Sequence, residues 1–351
     1  MPDPSSRPRG RGAGANLPHR FASLHVDYDD GEAPSSVKTQ FLVDHASTII
    51  TKNTSPDLSF EASLNPYRGC EHGCAYCYAR PTHEYLGFSS GLDFESRIMV
   101  KTEAPVLLRR ELARPGYKPT RLACSGVTDP YQPVEKTLRI TRQCLQVLVE
   151  ARHPVVFITK NHLITRDIDL LKELAQHQAV AAYISITSLK PELARVLEPR
   201  ASSPRQRLEA IQQLHAAGIP VGVSLAPVIP AINDEEIPAI LNAAAEAGAQ
   251  FAGSTVVRLP FGVKDIFAEW LHTHFPDRVD KVLNRIRSMQ GDTLSHGEFG
   301  KRLRGEGIWA EQIRALYKVS RERAGIPSGT PDVSTAAFRR PRIDDSQLEL
   351  F

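Results

Sequence analysis

The sequence predicts an α/β fold: a parallel sheet assembled from six βα units over residues 61–260, followed by a helical extension. Three observations predict it. Six short apolar runs recur along this span. Each is followed by a stretch whose apolar residues repeat with the 3.6-residue helical period. Strand–helix alternation of this length gives right-handed βαβ crossovers. Six units fall short of the eight in a closed barrel, which takes ~250 residues. A partial barrel and an open doubly wound sheet both satisfy the pattern.

The elements follow in order. Residues 1–20 are rich in Pro, Gly, Ser and Arg, have little to bury, and are expected to be a disordered basic tail. Residues 21–60 form an N-terminal extension of mixed pattern. Strands are expected at 63–67, 121–125, 154–159, 180–187, 219–226 and 251–258. Ile140, Cys144, Val147 and Leu148 line one helix, Leu208, Ile211 and Leu214 a second, and Ile237, Ile240, Leu241 and Ala244 a third. Residues 261–326 read as helices with excess base: eleven Lys/Arg stand against seven Asp/Glu between Pro276 and Gly325. That excess suits a solvated cap or a phosphate-facing surface. Residues 327–351 are expected to be a flexible tail ending in Gln-Leu-Glu-Leu-Phe.

Composition narrows the class. With 41% hydrophobic and 24% charged residues, a chain of 351 can bury a full core and is neither disordered throughout nor membrane-embedded. A net charge of +3 neither demands nor excludes nucleic acid. No apolar stretch follows Arg7, Arg9 and Arg11 to make an export signal, and no window reaches the ~18 apolar residues of a membrane span. A cytoplasmic protein with reduced thiols is expected, in which clustered cysteines read as metal ligands.

Three of the five cysteines fall in Cys70-Glu-His-Gly-Cys74-Ala-Tyr-Cys77, just after the first strand. Loops at the C-terminal ends of barrel strands build active sites, so the position suits chemistry. Three soft thiolates on a tight loop suit zinc or an iron–sulfur cluster, and Gly69 and Gly73 let the backbone fold closely around it. Structural zinc wants four protein ligands, and a fourth would have to be His72, His83 or a distant residue. A four-iron cluster on three cysteines keeps one iron open for a substrate or cofactor. Tyr76 adds an aromatic face beside that position.

The spacing, with aromatic Tyr76 before the last cysteine, resembles the CxxxCxΦC fingerprint of radical SAM enzymes. The resemblance implies a partial (βα)6 TIM-type barrel, a [4Fe–4S] cluster held by Cys70, Cys74 and Cys77, and S-adenosyl-L-methionine on the open iron. It further implies reductive cleavage of that cofactor to a 5′-deoxyadenosyl radical that abstracts hydrogen, with an electron donor such as flavodoxin or ferredoxin. NPYRGCEHGCAYCYAR, then TDPYQPVE (128–135), ITKN (158–161) and the stretch from LEPR (197–200) to PVIP (227–230) are similar to the DNA repair photolyase group related to spore photoproduct lyase. That similarity covers about residues 60–260 and implies a DNA lesion as substrate.

Further residues fall into place around this centre. Alternation along strand four sets Tyr183, Ser185 and Thr187 against Ile184 and Ile186; the apolar set should face the helices, leaving the polar set inside the barrel. By resemblance to spore photoproduct lyase relatives, Lys160 at the end of strand three and Ser185 contact the cofactor; a surface salt bridge and a backbone-satisfied hydroxyl are the alternatives. Ser125, Thr128 and Asp129 occupy the loop where the superfamily holds the cofactor's amino group, though no Gly-Gly-Glu pattern is present. Glu198 and Arg200 either clamp the cofactor or pair with each other. Glu135 suits a helix start. Cys144 belongs to a core helix face. Cys124, before Ser125, matches a hydrogen-donating cysteine of spore photoproduct lyase, and Tyr78 matches a tyrosine there; burial in a strand and packing under the loop are the alternatives.

The terminal Gln347, Leu348, Leu350 and Phe351 resemble the QLxLF motif by which bacterial replication and repair proteins dock on the DNA sliding clamp. Two other readings compete with DNA repair. One is radical modification of RNA, protein or a small molecule. The other, of a different class, is a zinc-stabilised interaction module.

Overall fold

Val- and Ile-rich runs form strands because branched side chains suit a pleated surface, and the prolines and glycines between them set the breaks. The structure, a computed structural model, describes residues 8–18, 20–21, 37–58, 60–295 and 297–342. Its strands are β1 (Gln40–Val43), β2 (Ile50–Lys52), β3 (Ala62–Leu64), β4 (Tyr67–Arg68), β5 (Arg97–Val100), β6 (Leu122–Cys124), β7 (Val155–Thr159), β8 (Val180–Ser185), β9 (Val221–Val228) and β10 (Ala252–Val256). The helices are α1 (Leu92–Ser96), α2 (Ala104–Ala113), α3 (Glu135–Leu138), α4 (Ile140–Ala151), α5 (Ile168–Ala175), α6 (Pro191–Leu197), α7 (Pro204–Ala216), α8 (Ile237–Glu246), α9 (Val263–His274), α10 (Val279–Met289) and α11 (Gly307–Arg323).

The main sheet runs β10-β9-β8-β7-β6-β3-β2. Six strands pair in parallel through five neighbour contacts, and β2 lies antiparallel on the β3 edge. The six parallel strands never reverse their chain order, so there is no switch point of a doubly wound sheet. The architecture is the partial barrel of six βα units. The first expected strand, 63–67, ends early at Leu64, because Pro66 has no N–H for the ladder. Tyr67 and Arg68 turn instead to β5, giving a small β1-β5-β4 sheet that the sequence reading did not find.

Helices and outward strand residues make one core. Cys144, Leu148, Leu174, Ile211, Leu214 and Leu241 meet Leu122, Val155, Val180, Ile184 and Val223 there. Ile186 belongs to this layer, while Tyr183 packs on the other face with Val156, Ala181 and Phe251. The expected polarity of strand four is therefore the observed one. Helices α9 and α10 lie over the C-terminal strand ends, packing Trp270, Val282 and Ile286 in one cluster with Ala75, Tyr76 and Leu197.

Both tails depart from expectation over the residues described. Residues 8–18 form an ordered strap, described below, rather than a disordered tail. Residues 333–340 run beneath the barrel: Ser334 N donates to Gln178 O (2.8 Å) and Arg339 N to Ala151 O (2.9 Å). Val333 is buried against Val156, Ala181 and Phe251, and Phe338 packs on Tyr117 and His153. Composition misjudged both segments because a few anchors hold each one; neither needs an amphipathic pattern. The terminal pentapeptide lies outside the described residues. Among the described residues no helix is long and apolar enough to cross a membrane.

His153 anchors this lower end as a neutral ring. Nδ1 donates to Pro154 O (3.0 Å) and Nε2 accepts from the Tyr117 hydroxyl (2.8 Å). Burial pushes its pKa down to about 4. The unfolded chain binds this proton near pH 6.5 and the folded chain does not, so stability falls as pH drops from about 6.5 toward 4. We expect His153→Gln to remove roughly 2 kcal/mol of the loss seen between about pH 7 and pH 5 in denaturant titrations. An unchanged pH slope in the variant would refute this.

Candidate active site

The cysteine loop, residues 69–79, leaves β4 at the C-terminal end of the barrel. Gly69 (φ 78°) and Gly73 (φ 68°) adopt left-handed backbone that other residues avoid. Cys70 and Cys74 are buried and Cys77 is partly so. The three thiols feel one another's charge. Burial pushes all three upward in pKa; Arg80 and Lys160 offset part of this at Cys77, and Lys160 and Arg207 at Cys74.

The loop is held from three sides. On the first side, Arg80 lies fully buried and reaches the Cys74 carbonyl through Nε (3.0 Å) and Nη2 (2.9 Å), and the carbonyls of Ser90 and Gly91 through Nη1. It pairs with the equally buried Glu95, whose carboxylate also accepts from Gly12 N (3.0 Å) and Ala13 N (2.9 Å). Arg11 donates to Glu95 O (2.6 Å), and Asn16 and Asp93 exchange two hydrogen bonds. Here the N-terminal strap crosses the loop so closely that a Cβ on Gly12 would stand 1.7 Å from Gly73 O.

On the second side, the loop after β6 carries Thr128, Asp129 and Gln132. Thr128 Oγ1 donates to Gly69 O (2.6 Å) and accepts from Gln132 Nε2 (3.0 Å); Glu71 N donates to Gln132 Oε1 (2.9 Å). Asp129 accepts from Thr159 Oγ1 (2.6 Å), Lys160 N (2.8 Å) and Tyr131 N (2.9 Å), and lies 3.3 Å from His72 Nδ1. Burial opposes its charge, but His72, Thr159 and Lys160 N–H hold the carboxyl below its ordinary range. Both residues, expected at the cofactor's amino group, are thus spent on holding this loop. Ser125 is half-buried beside them, its hydroxyl within 3.4 Å of Thr128 O.

The third side comes from β8 and α7. Tyr76 donates its hydroxyl to Glu198, which also accepts from Thr187 Oγ1 (2.9 Å) and pairs with Arg207 at 2.5 Å. Ser203 caps α7 with Gln206 in a reciprocal box, which aims Arg207 in the first turn back at Glu198 and at Ser185 O (3.0 Å). Burial opposes the Glu198 charge, but Arg207 and Lys160 hold its carboxyl low; in turn Glu198 keeps the Lys160 ammonium above its ordinary range against the same burial. The Lys160 Nζ stands 5.9 Å from the Tyr76 ring centroid. Glu198 and Arg200 do not pair with each other. Arg200 takes Glu71 (3.1 Å) and gives its N–H to His72 O, so it braces the loop.

Two expected participants separate. Cys124 is buried in the helix-facing core and feels Cys144, a residue of α4, so its thiol belongs to the layer behind the sheet. The reading of Cys124 as a hydrogen donor is corrected on that ground: Leu122 and Cys124 share the outward face of β6, and only Ala123 points the other way. Tyr78, half exposed, stays at the rim and donates to Gly126 O (2.9 Å). Glu135 opens α3 as expected, and its carboxylate gathers Tyr67, Thr141 N and Arg166. Sequence reasoning missed Arg80, Glu95, Arg207 and the strap. Arg80 had a signal, three positions past Cys77; Glu95 and the strap had none.

A single-ion zinc site does not fit. His72 is engaged by Asp129 and Asn161, and His83 Nε2 by Arg97 O. Among the described residues no three His, Cys, Asp or Glu converge on one ion. Three thiols beside Arg80, Lys160 and Arg207 do fit an iron–sulfur cluster, which Cys70, Cys74 and Cys77 would hold as thiolates.

The chain matches the radical SAM superfamily over residues 64–244, more than half its length, and belongs to it. Enzymes of this superfamily use a [4Fe–4S] cluster and S-adenosylmethionine. An uncharacterized protein of Mycobacterium tuberculosis is 37% identical over 66% of this chain and 68% of its own. A radical SAM Nα-GlyT isomerase of Pseudomonas phage M6 is 26% identical over 83% of this chain and 60% of its own. Among solved structures, spore photoproduct lyase complexed with dinucleoside spore photoproduct matches with a TM-score of 0.56 at 16% identity, covering 81% of this chain and 79% of that one. The likeness shows a shared fold.

The strap and clasp give a test. Glu95→Gln leaves Arg80 buried without its counter-charge, which costs about 3 kcal/mol. We expect the reconstituted variant to lose iron to a chelator several-fold faster than the unaltered protein. Equal rates of iron release would show that the clasp does not secure the loop.

Proposed function

We propose that this radical SAM enzyme acts on an altered DNA base, with the cluster on Cys70, Cys74 and Cys77 and the reacting group in the barrel mouth above β6–β9. One observation carries the reading: the thiols of Cys70, Cys74 and Cys77 sit at the same barrel end as Lys160, where Ser185 and Ser224 stand level on neighbouring strands. When bound, the cluster and S-adenosylmethionine supply a carbon-centred radical able to abstract hydrogen. The chain's own residues bind, orient and shield. Lys160 offers a positive charge for the cofactor's carboxylate, and Ser185 a hydroxyl for its polar groups. Tyr76, fixed by Glu198, walls the site with a ring. Thr128, Asp129 and Arg200 keep the loop in place. Tyr78 remains the candidate for moving a hydrogen at the rim.

DNA as substrate is supported by two similarities. The shared fold belongs to an enzyme solved with a dinucleoside photoproduct, and the phage relative is named for Nα-GlyT isomerisation. The hydroxyls of Ser185 and Ser224 at this barrel end suit a polar, hydrogen-bonding substrate better than an apolar one.

Anaerobic reconstitution should give about four irons per chain by the ligand argument. With reductant and S-adenosylmethionine, 5′-deoxyadenosine should form, and Cys74→Ala should abolish it. Ultraviolet-irradiated DNA should raise the rate over undamaged DNA. Equal rates with both would refute the lesion, and turnover surviving Cys74→Ala would refute the assigned ligand. We further propose that Gln347, Leu348, Leu350 and Phe351 dock on a DNA sliding clamp. Deleting the last five residues should abolish clamp binding; equal binding with and without them would discard that proposal.

A further inference from the structure

We propose that Arg258 binds a backbone phosphate of the nucleic-acid substrate, at a cationic and aromatic rim beside the cysteine loop. This rests on DNA being the substrate and adds how it is held. Arg258 follows β10 by two residues, so it stands at the same barrel end as the cluster ligands. Its guanidinium lies 4.9 Å from the ring centroid of Tyr78, the residue after Cys77.

The charge of Arg258 is the unusual feature. Arg80, Arg200, Arg207 and Arg302 each pair with a carboxylate. Arg258 is half-buried, yet no described residue gives it an ion pair or hydrogen bond. The carboxylate within its reach, Asp57, is already taken by Arg302 and by Gly300 N–H. Burial first, and then the nearby Arg302, lower its pKa, while Tyr78, Asp57 and Cys77 pull the other way without cancelling them. Taking a guanidinium partly out of water without a partner is costly. The cost is recovered when an anion arrives, and a guanidinium fork matches phosphate oxygens in pairs.

The neighbours favour a nucleic acid over other anions. Phe261, three residues on, is exposed and held at φ 52°, a strained backbone for an aromatic residue. The Arg20 guanidinium, itself paired with Glu84, lies 3.7 Å from its ring centroid, and Tyr85 is exposed beside them. Exposed rings beside the unpaired Arg258 let bases stack while a phosphate pairs. An acidic peptide would use the charges and leave the rings idle.

The test uses the reconstituted full chain, kept anaerobic, and a fluorescein-labelled single-stranded oligonucleotide followed by anisotropy across a salt series. Arg258→Gln should weaken binding about tenfold and reduce the salt slope by about one. Arg205→Gln, a paired and exposed arginine on the outer helix α7, should change neither. A second arm needs no variant: a strand with uncharged methylphosphonate linkages should bind the unaltered protein less well. Equal affinity and slope for Arg258→Gln would overturn the inference while leaving DNA as substrate. So would equal binding of the uncharged strand, or an equal loss in Arg205→Gln. If the unaltered protein binds no oligonucleotide, this inference and the DNA reading fall together.

Discussion

The buried pair of Arg80 and Glu95 is the constraint on which the site depends. A loop that buries three thiols also buries its own carbonyls, and each needs a donor. Arg80 serves the Cys74 carbonyl twice, and those of Ser90 and Gly91 as well, but a fully buried guanidinium is tolerable only with its counter-charge. Glu95 is that counter-charge, and its remaining lone pairs draw in the N–H groups of Gly12 and Ala13. One pair thus ties cysteine loop, α1 and N-terminal strap into a unit, and Gly12 must be glycine for the strap to pass.

The barrel gives this unit its place. Because the six parallel strands keep chain order, every loop that matters emerges at one end: cysteines after β3 and β4, Asp129 after β6, Lys160 after β7, Glu198 beyond β8 and Arg258 after β10. Helices α9 and α10 cover part of that end, while Val333 and Phe338 close the other. The division of labour is chemical. The three thiols wait for an iron–sulfur cluster, and Asp129 and Glu198 are saturated by the chain itself. Lys160 and Arg258 keep charge available to incoming anions.

What was legible in the sequence follows from how signals are carried. The six strands and the outward faces of α4, α7 and α8 were readable because they repeat, and so was the polar inner face of β8. The cysteine ligands were readable because their chemistry needs fixed spacing. Cys124 was misplaced because a match of two residues says nothing about which face of a three-residue strand they occupy. Thr128 and Asp129 were placed in the right loop but given the wrong partners, since saturation by Gly69 O or Thr159 depends on residues distant in sequence. The ordered strap was hidden by composition: its bonds come from the N–H groups of Gly12, Ala13 and Leu17 and the side chains of Arg11 and Asn16, in a stretch whose Pro, Gly and Arg content reads as disorder.

The central claim is that the clasped loop presents three thiols to a cluster and leaves one iron open to the cofactor. Electron paramagnetic resonance of the reduced, reconstituted protein tests this most directly. The account predicts a [4Fe–4S]⁺ signal whose g-values shift when S-adenosylmethionine is added. A protein that takes up zinc alone, or a cluster signal indifferent to S-adenosylmethionine, would contradict it.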